Sequence, residues 1–162
     1  GRPYNGEKML ADIELEAGQT SLGNTSYYLD YGPDPLFPFG YGLSYTSFAY
    51  ADVSLDKSGY SDSDVITVSF TLSNEGAHDG TEVVQVYVRD MVGSVTRPVK
   101  ELKAFQRVSL KAGESCRVEM QVPVQELAFY GLDGTKKVEP GDFQLWVAGD
   151  SASGEPVSFR VL

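Results

Sequence analysis

The chain has 162 residues, 41% of them hydrophobic, and its 13 basic against 23 acidic residues leave a formal charge of −10. That is enough for one ordinary domain with a real core and a modest appended segment. The acidic balance repels phosphate backbones and anionic headgroups, so neither nucleic acid nor a membrane is an expected partner, and no apolar run approaches the roughly 20 residues that cross a bilayer.

Residues 1 to 45 show no sustained period. The opening Gly1-Arg2-Pro3-Tyr4-Asn5-Gly6 reads as loop, no methionine starts the chain, and Gly1 to Ala11 lack the basic-then-apolar layout of a signal peptide. The expectation is a piece of a longer polypeptide. Met9 to Leu15 alternates briefly, after which Gly18, Gly23, Gly32, Pro33, Pro35, Pro38, Gly40 and Gly42 interrupt every pattern. Asn24-Thr25-Ser26 fits a glycosylation acceptor, a three-residue signal too short to count. The same stretch nevertheless holds Tyr27, Tyr28, Tyr31, Phe37, Phe39, Tyr41 and Tyr45. With Phe48 and Tyr50, 9 of the 19 aromatics fall between residues 27 and 50. A solvated linker has no use for that much apolar surface, so the segment is expected to dock.

From Thr46 onward the period is two. Ile66, Val68, Phe70 and Leu72 alternate with Val65, Thr67, Ser69, Thr71 and Ser73. Val84, Val86 and Val88 do so with Val83, Gln85 and Tyr87, Val118, Met120 and Val122 with Arg117, Glu119 and Gln121, and Phe143, Leu145 and Val147 with Gln144, Trp146 and Ala148. Phe48 to Leu55, Leu102 to Leu110 and Val157 to Val161 complete a set of seven strands. Turn residues fall between them at Lys57-Ser58-Gly59, Asn74-Glu75-Gly76, Asp79-Gly80, Lys111-Ala112-Gly113, Asp133-Gly134 and Pro140-Gly141. Such spacing predicts an all-β, immunoglobulin-like or fibronectin type III-like sandwich over residues 46–162, without the Cys and Trp arrangement of antibody domains, behind an irregular extension over residues 1–45. The exception is Asp90 to Pro98, a long connection of the kind that serves as a contact surface.

Chemistry is hard to find. The one cysteine, Cys116, excludes an internal disulfide and lies in an alternating stretch where a small buried thiol suffices. His78, the one histidine, sits in a turn with no second histidine to build a metal site. Asp62-Ser63-Asp64 lacks the glycine and distal glutamate of a calcium loop. Gly40-Tyr41-Gly42 lacks the Lys and Ser/Thr of a phosphate cradle, so its glycines are read as allowing close backbone packing. Acidic residues are plentiful but fall mostly in turns or at outward strand positions such as Glu119. No catalytic residue, cofactor site or metal site is assigned. The aromatic segment remains, and it is read as a strap that packs in a groove rather than as a platform for sugar rings.

Residues Pro35-Leu36-Phe37-Pro38-Phe39-Gly40-Tyr41-Gly42-Leu43-Ser44-Tyr45-Thr46-Ser47-Phe48 resemble the connector that leads into the C-terminal domain of glycoside hydrolase family 3, the family of many β-glucosidases and β-xylosidases. Asn74-Glu75-Gly76 with Asp79 to Tyr87 resembles the second and third strands of that family's fibronectin type III-like domain. Arg97 to Phe105 is similar to the segment after its long loop, Glu139 to Phe143 to the entry of a late strand, and Gly1-Arg2-Pro3 to the end of the preceding α/β domain. The resemblance implies a parent that hydrolyses terminal β-linked glucosyl or xylosyl residues by a retaining mechanism, with nucleophile and acid/base on upstream domains and a periplasmic or secreted location. It carries no catalytic residue onto this chain. The function so implied is a non-catalytic accessory module whose partners are the upstream catalytic domains of the same polypeptide. A homodimer contact and a polysaccharide are the further partners it admits, and polysaccharide binding is the alternative function.

Overall fold

The computed structural model describes residues 35–162. The expected tail of an α/β domain, the Asn24 motif and the aromatics Tyr27, Tyr28 and Tyr31 lie outside the described residues.

The described chain forms ten strands: β1 (Phe48–Leu55), β2 (Gly59–Tyr60), β3 (Val65–Asn74), β4 (Gly80–Asp90), β5 (Glu101–Leu110), β6 (Ser115–Pro123), β7 (Phe129–Tyr130), β8 (Lys136–Lys137), β9 (Gly141–Ala148) and β10 (Val157–Val161). Seven of them are the seven expected from alternation. The other three, β2, β7 and β8, are two-residue pairings too short to produce a period. One sheet has the order β1-β3-β6 and the other β2-β10-β9-β4-β5, while β7 and β8 pair in a small separate hairpin. The fold is the expected all-β, fibronectin type III-like sandwich.

Register explains why the sheets close on each other. In the β3–β6 pair, Ile66 lies opposite Val122, Val68 opposite Met120, Phe70 opposite Val118 and Leu72 opposite Cys116. One whole face of the small sheet is therefore apolar. It packs against Val84, Val86 and Val88 of β4, Leu145 and Val147 of β9, and Phe159 and Val161 of β10, all buried. Each such side chain contributes roughly 1.5–3 kcal/mol when fully buried, so no staple is needed, and Cys116 is a partly buried free thiol against this core.

Two polar side chains are buried among the described residues, Asn74 and Gln85. Asn74 joins three pieces of chain. Its amide donates to the carbonyls of His78 (2.8 Å) and Leu110 (3.2 Å), while its Oδ1 accepts the Thr46 hydroxyl (2.5 Å) and the Gly76 N–H (3.1 Å). The end of β3, the start of β5's exit turn and the entry to β1 are thereby fixed together. A side chain on Gly76 or Gly80 would strike Thr46, so these two glycines are what lets the turn close over it.

Candidate docking face

The outer face of the five-stranded sheet carries the feature that alternation misjudged. Gln85 and Tyr87 occupy positions expected to face solvent, as do Trp146 and Ala148, yet all four are buried. Gln85 pairs across the sheet with Ala148 and Tyr87 with Trp146. Their cover is polar backbone and one lysine.

Residues 38–41 make a tight turn in which the Tyr41 N–H donates to the Pro38 carbonyl at 3.1 Å and Gly40 takes φ of 85°. Positive φ at the third residue is what a type II turn demands. The turn lies flat on Gln85 and Tyr87. A Cβ on Gly40 would overlap both side chains. Gln85 Nε2 donates to the Gly40 carbonyl (3.3 Å) and to the Gly149 carbonyl, and the Tyr87 hydroxyl donates to Gln85 Oε1 at 2.5 Å with the Phe39 carbonyl 3.3 Å away. The Ser151 N–H completes the seat by donating to the Phe39 carbonyl at 2.9 Å. Asp150 shapes the loop that delivers Ser151: its Oδ1 accepts the N–H groups of Ala152 and Ser153, both at 2.9 Å, and its Oδ2 the Ser153 hydroxyl at 3.0 Å. Lys100 lies 4.2 Å above the Trp146 ring and donates to the Ser151 carbonyl at 2.9 Å; desolvation lowers its pKa, and Asp150 opposes that shift.

The seat thus grips main chain and leaves the side chains outside. Leu36 is 76% exposed, Phe37 63%, Phe39 67%, Leu43 90% and Tyr45 97%. Phe37 and Tyr41 pack on each other with ring centroids 5.1 Å apart, and both face out. The described part of the segment is held on the sandwich through its carbonyls, whereas its aromatics, expected to pack in a groove, stay outside. Of the two glycines read as packing sites, only Gly40 is one; a Cβ on Gly42 would meet nothing.

Beside this turn opens a cleft of about 400 Å³ between residues 40–44, the Gly149 to Gly154 loop and the ends of β1 and β4. Tyr50 and Glu82 stand on its wall. Glu82 is an exception to the outward placement expected of most carboxylates: it shares the parity of Val84 and Val86 and is half-buried at the open end of the core. Alternation could not flag it, because a charge beside a turn reads as solvated. Burial raises its pKa and Asp150 raises it further, against a lowering by the Val83 N–H. The Tyr50 hydroxyl is buried without a hydrogen-bond partner among the described residues, and burial first, then Glu82 and Asp150, pushes its pKa well above that of an ordinary phenol.

The other sequence candidates resolve into structural roles. Asp64 accepts the Ser61 N–H at 2.8 Å and lies 3.3 Å from Lys57, and the Ser61 N–H chiefly holds its pKa low, so the calcium-like string is a turn clasp. His78 enters the Asn74 knot through its carbonyl. Glu119 is exposed on β6. Among the described residues no three His, Cys, Asp or Glu side chains converge as metal ligands would. The long connection after β4 folds back on its own sandwich: the Ser94 N–H and hydroxyl donate to Glu139 at 3.0 and 2.6 Å, and Arg97 sits 4.3 Å over Phe129 while pairing with Glu101 at 2.8 Å. Val92 is left exposed at its tip.

Comparison with known proteins gives these surfaces a context. A family model described as a fibronectin type III-like domain matches residues 82–151. A periplasmic β-glucosidase of Salmonella typhimurium is 37% identical over the whole of this chain and 20% of its own length, and a putative β-xylosidase of Formosa agariphila is 35% identical over 98% of this chain and 21% of its own. The crystal structure of a β-glucosidase from Listeria innocua in complex with glucose superposes with a TM-score of 0.78 at 36% identity, covering 83% of this chain and 19% of that one. The chain therefore spans about a fifth of the length of the relatives it matches, at their C-terminal end.

Proposed function

The chain belongs to the C-terminal, fibronectin type III-like region of family 3 glycoside hydrolases, the region of an accessory module of β-glycosidases, and from that premise we propose that it is a non-catalytic module that docks on the catalytic domains preceding it in a longer polypeptide. The proposed division is a connector up to residue 45 and a sandwich over residues 46–162. The parent is a hydrolase of terminal β-linked glucosyl or xylosyl residues, working outside the cytoplasm as the name of the Salmonella relative says of that protein.

One observation carries this reading. The connector is pinned to the sandwich by main-chain hydrogen bonds, which leaves Leu36, Phe37, Phe39, Leu43 and Tyr45 as a contiguous stretch of outward apolar groups. Exposed apolar surface on that scale marks a contact. A non-catalytic role is supported by Asp150, whose two oxygens serve its own turn, and by Glu82, whose Oε1 accepts the adjacent Val83 N–H, so that among the described residues the cleft offers no pair of uncommitted carboxylates.

The test is to mix the 162-residue chain with the catalytic portion of the parent and follow association by ultracentrifugation. Stable association is expected, weakened at least tenfold when Phe37 and Tyr45 are changed to Ser. Absence of association, together with an unchanged melting temperature for a parent lacking this region, would overturn it. The tilted, exposed Phe37–Tyr41 pair favours one alternative, a sugar-ring platform. Calorimetric heat with β-glucans or xylans at millimolar sugar, lost in Phe37→Ser, would replace the docking reading by that one.

A further inference from the structure

The cleft beside the connector has a chemical character that docking through apolar groups does not use. Glu82 Oε1 and the Tyr50 hydroxyl converge: a Cβ on Gly149 would lie 3.4 Å from the first and 3.7 Å from the second. The absence of a side chain there keeps that point open. Glu82 accepts its neighbour's Val83 N–H at 2.9 Å and has no cation within ion-pair distance among the described residues, where six other ion pairs form. Tyr50 Oη is buried and has no partner among the described residues. Asp150 adds a second negative charge on the same wall, and Lys100, a cation that interacts with Asp150, is directed to the Ser151 carbonyl and the Trp146 ring.

A half-buried, unneutralised carboxylate beside an orphaned hydroxyl costs free energy in the isolated module. A donor with positive charge offsets both, by neutralising Glu82 and giving the Tyr50 oxygen a hydrogen bond to accept. A neutral hydroxyl donor could serve Tyr50 but would leave the charge of Glu82 and Asp150 standing. We propose that this cleft receives a basic side chain, an arginine in preference to a lysine, presented by the domain that packs on the connector. Arginine is favoured because its planar fork reaches a carboxylate and a second acceptor at once and stacks on a tyrosine face. Residues 40–44 form one wall of the cleft, so a surface covering the outward aromatics passes its mouth. The proposal rests on the docking reading and adds the charged anchor that would fix the orientation of the contact.

The intact 162-residue chain is tested by NMR with methylguanidinium chloride as the probe and equal potassium chloride as control. Saturable shifts of the Glu82 and Gly149 amides are expected, at least fivefold weaker in both Glu82→Gln and Tyr50→Phe and lost below the titration of Glu82. Linear shifts matching potassium chloride, or shifts indifferent to Glu82→Gln, overturn the proposal. Glu82→Gln is isosteric and uncharged, so its melting temperature, expected to be unchanged or higher, verifies folding. In the mixing experiment with the catalytic portion, Glu82→Gln should weaken association about tenfold and reduce its salt dependence. A complex indifferent to Glu82→Gln overturns this inference alone, whereas no complex with either form, together with an unchanged melting temperature for a parent lacking this region, overturns the docking reading beneath it.

Discussion

Asn74 shows how one side chain can set the stability of a module this size. Its four hydrogen bonds tie Thr46, Gly76, His78 and Leu110 at a site closed to water. Removing one partner from a buried bond costs about 1–3 kcal/mol for each group left unpaired. Asn74→Ala should therefore lose about 3 kcal/mol or more in urea unfolding, and Asn74→Asp nearly as much because a carboxylate cannot donate to the two carbonyls. Thr46→Val, which removes a single partner, should cost about 1 kcal/mol. Equal losses for Asn74→Ala and Thr46→Val would show that the knot is not the unit described. At the same scale, Glu82 has a definite pH signature. Its folded-state pKa is raised, so its contribution is favourable below the unfolded value of about 4.5 and is lost as pH rises through the folded value. The stabilisation by Glu82→Gln should appear at neutral pH and disappear in acid, measured as the difference in melting temperature across that range.

At the scale of elements, the connector turn behaves as an appendage with its own latch. Gly40→Ala places a side chain at positive φ, a cost of roughly 1–2 kcal/mol, and drives it into Gln85 and Tyr87. The turn should lift while the sandwich stays folded, because none of the core side chains belongs to it. Hydrogen exchange at the Ser151 amide, bonded to the Phe39 carbonyl, should accelerate at least tenfold, with exchange in β3 and β6 unchanged. Unaltered protection at Ser151 would contradict the latch. The elements themselves were legible to different degrees, for physical reasons. Strands such as β3 and β6 declare themselves because one face is apolar and the other wet, which is the condition under which period two encodes burial. On β4 and β9 both faces are covered, so Gln85, Tyr87 and Trp146 read as solvent-facing until the turn over the first two and Lys100 over the third are known. Aromatic density pointed to packing of the side chains, yet the described aromatics before β1 are exposed and the turn is held by its main chain. That density could not announce the mode, because main-chain hydrogen bonds leave no trace in side-chain identity beyond Gly40.

The whole molecule carries a formal charge of −10 and a row of exposed apolar groups on one segment. These oppose each other in solution. Mutual repulsion keeps copies apart at low ionic strength, and its range falls from about 10 Å at 0.1 M salt to about 3 Å at 1 M. Reversible self-association of the chain should therefore strengthen with added sodium chloride, by sedimentation, and vanish when Phe37 and Tyr45 become Ser. Association that weakens with salt would mean that charge pairing, not the aromatic row, holds the copies.

The seat on Gln85 and Tyr87 recognises carbonyl groups, which every residue possesses. Within the turn only position 40 is chemically constrained by that seat, and the identities of residues 36, 37, 43 and 45 are free of it. The segment is thus an adaptor with one fixed plug and one rewritable socket. Its outward residues can be exchanged to suit a different neighbour without disturbing how the sandwich holds it, so partner choice and domain stability are free to evolve, or to be engineered, separately.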